Sequence, residues 1–179
     1  MLKTKGYYSM ELPTYNNLKI LSINTQAGNP ENWFLIKNPT DPGEMLKWMQ
    51  EELKKSELKG QFVYIIGHIP PNNNMNTWAL RYNAIIDRFS YTIRGQFYGH
   101  THNDHIGAHY SIHNQSSLVN YYFVAPSLTT YDFRVPRYRI LDIDFDTLQT
   151  KDFHQYRLDI RKYQKKEDKA KFELLYSFK

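Results

Sequence analysis

Three histidines carry the chemistry that this sequence can offer. His68 follows Gly67 at the end of the apolar run Phe62–Ile66, and His100 and His102 follow Gly99 at the end of Ile93–Tyr98. Neutral imidazole is the commonest ligand for divalent transition metals and leaves positions for water or a substrate oxygen. A histidine at the carboxyl end of a buried strand is held rigidly, yet faces the cleft where open α/β sheets place their ligands. The glycine before it lets the backbone turn so that the ring can point into that cleft. His100 and His102 are two residues apart, so in an extended segment they face the same way, near enough for one metal or two adjacent metals. No Gly-x-Ser-x-Gly elbow, phosphate loop or dinucleotide fingerprint occurs, and Cys is 0, which excludes thiolate chemistry. Water activated by a metal is the nucleophile that remains.

The elements that must position these residues follow from periodicity. Residues 18–24, Phe62–Ile66 and Ile93–Tyr98 read as buried strands. Asp41 is placed to cap a helix whose first residue is Pro42, with Glu44 three residues after the cap. Leu46, Met49 and Leu53 form that helix's apolar stripe, Trp48 packs into the core beside them, and Gly60 ends it. Residues 78–89 read as a second helix. Strand-like runs follow at 106–112, 119–125, 138–145 and 153–160, before a charged helix leading into 172–178. The order passes from α/β into β, and no internal repeat interrupts it.

Other polar groups carry less. His105, His109 and His113 lie four apart and share one strand face, which reads as an exposed strand edge near the site. Asp152-Phe153-His154 has the Asp-x-His form of a metal motif, but no second carboxylate stands nearby to complete it. Asn114-Gln115-Ser116 is a glycosylation sequon, meaningful in a secreted protein. The formal charge is +5, most of it from seven basic residues against three acidic ones between Arg157 and Lys171. Basic residues confined to one tail make a solvated helix face, with contact to anionic membrane as the second reading; they do not make a nucleic-acid interface. No apolar run approaches the ~20 residues of a membrane span. Residues 1–8 carry lysines but no apolar core of a signal peptide.

Gly67-His68-Ile69-Pro70-Pro71 followed by Gly99-His100-Thr101-His102 resembles the last two metal motifs of calcineurin-like metallophosphoesterases. The branch it resembles is that of acid sphingomyelinase and its sphingomyelinase-like relatives. The likeness extends to Thr40-Asp41-Pro42, Gln96-Phe97-Tyr98, Asp104, the stretch from Ala125 through Ser127, Thr129, Thr130 and Tyr131, and Tyr138-Arg139-Ile140. It implies the carboxyl-terminal half of a four-layered α/β metallophosphoesterase sandwich flanked by helices, spanning residues 1–157, with 158–179 a basic helical tail. It also implies a two-metal zinc centre in which His68 and His100 hold one ion and His102 the other. The implied reaction is attack of metal-bound hydroxide on a phosphodiester, releasing phosphocholine from a sphingomyelin-like lipid. Asp104, His105, Thr129 and Thr130 are the implied substrate residues, and the implied location is extracellular or lysosomal.

The family's earlier motifs are absent: the Asp-x-His pair, the bridging Asp, and the Asn-His pair that supplies a proton donor. Asn72 stands where glycine is usual, and Arg134-Val135-Pro136 replaces an Asn-Pro step. The chain is therefore expected to be a fragment that needs the amino-terminal half of its domain. By itself it is expected to be inactive; the alternative readings are a non-catalytic metal- or lipid-binding remnant and a phosphodiesterase of the same fold acting on nucleotides.

Overall fold

Short aromatic and β-branched runs make nine strands among the described residues, which in the computed structural model are 5–179 apart from 13, 16, 164 and 166–168. The beginning of the lysine-bearing start, residues 1–4, lies outside them. One sheet has the order β1 (Tyr8–Glu11), β2 (Leu18–Ser22), β3 (Phe62–Ile66), β4 (Ile93–Tyr98), β6 (Leu118–Val124) and β5 (His105–Tyr110). β2, β3, β4 and β6 run parallel, and β1 and β5 close the edges antiparallel. Parallel neighbours need crossovers. The first holds α1 (Phe34–Lys37) and α2 (Met45–Leu58), the second α3 (Asn76–Arg88). β7 (Arg137–Ile143), β8 (Thr150–Arg157) and β9 (Glu173–Ser177) form a second, antiparallel sheet.

Strand alternation sorts the faces. Val63 and Ile65 are wholly buried in one core with Met49 and Leu53 of α2 and Trp78, Tyr82 and Ile86 of α3. The opposite face carries Tyr64, Phe97 and Phe123, whose rings contact in sequence. Phe153 of β8 meets Phe123 at 5.9 Å, and the Tyr64 hydroxyl donates to the Leu148 carbonyl at 2.7 Å. The described residues thus stack as helices, six-stranded sheet and three-stranded sheet, an α/β architecture. No helix among them is long and apolar enough to cross a membrane.

The helix cap sits differently from its sequence expectation. Pro42–Glu44 form a 3-10 turn, Glu44 takes a left-handed φ of 57°, and the helix proper begins at Met45. Asp41 still caps it from a distance, its two carboxylate oxygens accepting from the Leu46 and Lys47 amides at 2.8 and 3.0 Å. Two orphan donors of the first turn are satisfied this way. Asp41→Ala should lower stability by about 1–2 kcal/mol, seen as a reduced urea midpoint at constant slope, and Asp41→Asn should lose less.

The expected basic helix is not found among the described residues of 158–179. Among the described residues of that segment there is a 3-10 turn at Ile160–Lys162, then β9, which pairs antiparallel with β8. Lys166, Glu167 and Asp168 of the charged run lie outside the described residues. Charge suits any exposed segment, whereas Phe172, Leu174, Tyr176 and Phe178 are strand-formers offered to the free edge of β8. Pairing decides the conformation.

Candidate metal centre

The four parallel strands end on one edge of the sheet, and the turns leaving β3 and β4 carry the histidines. These turns are tied together: the Gly99 amide donates to the His68 carbonyl at 2.9 Å, and the Ala125 amide to the Tyr98 carbonyl at 2.8 Å. Gly67 is required by packing. A methyl there would come within 2.9 Å of Thr25 Cγ2 and 3.0 Å of the Tyr98 ring, so three strand ends could not close up. The amides of His68 and Ile69 donate to the Oγ of Thr25, at 3.2 and 2.8 Å. Thr25 is buried and fixes the first histidine turn from the end of β2. Nothing in its local sequence marks it; only the β2–β3 pairing does.

The His68 and His100 rings stand 5.3 Å apart, edge to face at 82°. His100 and His102 both adopt left-handed φ, 72° and 57°. The extended segment expected between them does not form, so strand alternation is not what groups these rings. Left-handed backbone costs a non-glycine residue roughly 1–2 kcal/mol, and polar bonds hold this turn. Asn103 donates through Nδ2 to the Thr101 carbonyl at 3.0 Å and accepts from Arg134 Nη1 at 2.8 Å. The His102 ring lies edge-on to Tyr131 at 5.5 Å. Partial burial lowers the pKa of His100, helped by repulsion from His68 and His102 and opposed by Glu31. Glu31 also lines a cavity of about 900 Å³ together with Asn24, Gln26 and Asn32.

The other candidates are placed as follows. The Asp104 carboxylate accepts from the guanidinium of Arg139 and from the Tyr176 hydroxyl. His105 opens β5, opposite Val124. Thr129 and Thr130 are exposed in the loop after β6 that brings Tyr131 to His102, and the Thr129 amide donates to Ser127 Oγ at 3.1 Å. His109, expected on an exposed edge, is instead 4% exposed, because its side of β5 packs onto α3 through Tyr82 and Asn83.

Among the described residues, the one trio of His, Asp or Glu with donor atoms all within 4.8 Å of one another is Asp142, Asp152 and His154. The second carboxylate that the Asp-x-His pair lacks in sequence comes from β7, where Asp142 is the register partner of Asp152. His154 Nε2 lies 3.1 Å from Asp142 Oδ2, and its Nδ1 2.7 Å from Ser177 Oγ. Sheet register supplies this group, and spacing along the chain conceals it.

No family model matches the chain. Sphingomyelin phosphodiesterase 1 of Caenorhabditis elegans is 37% identical over 181 aligned positions, covering 98% of this chain and 32% of that protein. Sphingomyelin phosphodiesterase of Homo sapiens is 38% identical over 143 positions, 80% of this chain and 22% of that protein. The cyclic GMP-AMP phosphodiesterase SMPDL3A of Homo sapiens is 37% identical over 137 positions, 72% of this chain and 30% of that protein. The chain spans about a third or less of the length of these relatives. They are hydrolases by name, and the three alignments cover 98%, 80% and 72% of the chain at 37–38% identity. On that ground the chain belongs to the acid sphingomyelinase-like phosphodiesterases.

Proposed function

We propose that this chain is the carboxyl-terminal half of a four-layered metallophosphoesterase domain that hydrolyses a phosphodiester, sphingomyelin being the first substrate to test. The observation that carries the reading is the meeting of His68 and His100, 5.3 Å apart, with His102 on the same turn, at the carboxyl ends of parallel strands. The donor set fits zinc, which takes imidazole nitrogen as a ligand. His68 and His100 would hold one ion and His102 a second, with carboxylate ligands supplied from the upstream part of the domain. When bound, such a pair activates water and stabilises the attacking and leaving oxygens.

The chain's own residues supply the frame. Thr25 sets the His68 turn, and the 127–131 loop, with Thr129 and Thr130, borders the place where a phosphodiester would lie. The proton donor belongs upstream. An exposed Asn114 between β5 and β6 suits a secreted or lysosomal protein. A nucleotide phosphodiester is the second reading, supported by the 37% identity to a relative named for cyclic GMP-AMP.

The test compares this chain alone with a longer protein in which it is joined to the amino-terminal part of the Caenorhabditis elegans relative. The longer protein should release phosphocholine from sphingomyelin vesicles only with zinc, and His102→Ala should abolish release. The short chain should be inactive, because general acid assistance alone is worth ~10²–10⁴-fold. Turnover that survives both chelation and His102→Ala sinks the proposal. Turnover of cyclic dinucleotides in preference to sphingomyelin selects the second reading.

A further inference from the structure

We infer that Asp104, Arg139 and Tyr176 form a latch that positions the His100–His102 turn for metal, and that Asp104 does not touch substrate. The inference rests on the reading that these histidines hold metal. Asp104 lies two residues after His102, yet its side chain is 13% exposed and its ion-pair partner Arg139 only 5%. The guanidinium and the Tyr176 hydroxyl both donate to the Asp104 carboxylate, one to each oxygen. A carboxylate so engaged has little left for a phosphodiester, which as an anion would be repelled by it in any case.

Arg139 is itself fixed on several sides. Its Nε donates to Gln155 Oε1 at 3.1 Å, and fully buried Gln155 donates in turn to the Tyr138 carbonyl at 2.8 Å. Its guanidinium lies 4.0 Å from the centre of the Phe153 ring. Tyr176 arrives on β9, from the far side of the second sheet. Burial raises the Tyr176 pKa, as does its bond to Asp104, so the hydroxyl keeps its proton for donation. The turn it serves contains two left-handed histidines, an arrangement that persists where the surroundings over-determine it. Arg134 holds the same turn at Asn103. Arg134, in the loop before the second sheet, and Arg139 and Tyr176, within it, thus grip the turn at successive residues, 103 and 104.

The experiment measures Zn²⁺ affinity by competition with a chromogenic chelator, together with the visible spectrum of the Co²⁺ form. The longer protein, this chain joined to the amino-terminal part of the Caenorhabditis elegans relative, is used with His154→Ala throughout, so that the Asp142, Asp152 and His154 group does not report. Asp104→Asn and Tyr176→Phe should weaken Zn²⁺ by about 10–100-fold, the range for residues that orient ligands from behind. Both should also alter the Co²⁺ band. Tyr176→Phe, which keeps the ion pair, should leave the urea midpoint of the metal-free protein nearly unchanged, whereas Asp104→Asn leaves the buried Arg139 guanidinium without its carboxylate and should lower it. Tyr176→Phe keeps the ion pair and decides the matter if Asp104→Asn fails to fold. Variants that bind Zn²⁺ as tightly as the parent, with the same Co²⁺ band, overturn the latch alone. A folded parent that takes up no Zn²⁺, as His102→Ala takes up none, overturns the metal reading and the latch with it.

Discussion

Lys19→Met should cost this chain about 3–5 kcal/mol of folding stability, and adding Glu52→Leu should return most of it. Lys19 Nζ and Glu52 Oε2 are 2.6 Å apart, with side chains 8% and 9% exposed, where α2 crosses β2. Glu52 also accepts from Lys55 at 2.7 Å and from Ser9 Oγ at 2.9 Å. Burial alone would raise its pKa, but the hydrogen bonds from Lys19, Lys55 and Ser9 outweigh it and hold the carboxyl at about 2. Taking away one partner strands a charge whose desolvation has no compensation, whereas taking away both leaves an apolar contact. Lys55 stays with the carboxylate and softens the single loss toward its lower end. Urea unfolding of both single variants and the double gives the coupling directly. A Lys19→Met loss below about 1 kcal/mol would mean that the pair is solvated in practice.

Acid should weaken the fold in a window above that of the carboxylates, through His109. Its ring lies between Tyr82 and Tyr122, with centroids at 6.1 and 5.0 Å. Nδ1 is 3.1 Å from Asn83 Oδ1, while buried Nε2 has no hydrogen-bond partner among the described residues. Burial pushes its pKa down to about 4 from 6.5. Between those values the unfolded chain binds a proton that the folded chain refuses, so stability is full above pH 6.5 and falls as pH drops toward 4. The whole loss is about 3 kcal/mol at 1.36 kcal/mol per pKa unit. Glu52 acts lower down: its contribution is present above 4.5 and disappears as pH falls toward 2. Urea midpoints measured from about pH 7 to pH 4 should slope in the parent chain and flatten in His109→Gln. Equal slopes in the two would assign the acid sensitivity to other groups.

What was legible in the sequence was local. β3 and β4 coincide with Phe62–Ile66 and Ile93–Tyr98, the first an uninterrupted apolar run, the second apolar at Ile93, Phe97 and Tyr98, and each is closed by Gly-His. The stripe of Leu46, Met49 and Leu53 is buried as helical spacing requires. The three histidines stand out for the same reason, as polar residues at strand ends. What escaped depends on pairing between distant segments. Asp142 completes the Asp152 and His154 group only through the β7–β8 register. Asp104 reads as a free carboxylate until Arg139, 35 residues on, is placed against it. His109 has the periodicity of an edge residue, and only the packing of α3 beneath β5 makes it a core residue. β9 was obscured by its neighbours' charge, since no count of lysines reveals that a sheet edge is waiting.

The reach of Tyr176 has a consequence for the order of events in folding. It meets Asp104 across 72 residues, and contacts of such separation form late, because the entropy of closing the intervening loop is spent before they give anything back. On a chain made from its amino end, His68, His100 and His102 are all exposed to solution before the strand that steadies their turn exists. On the proposed metal reading, the imidazoles would in that interval be ligands without a frame and would rank ions by intrinsic affinity, which favours copper over zinc. Selectivity that comes from geometry would then enter only when β9 docks.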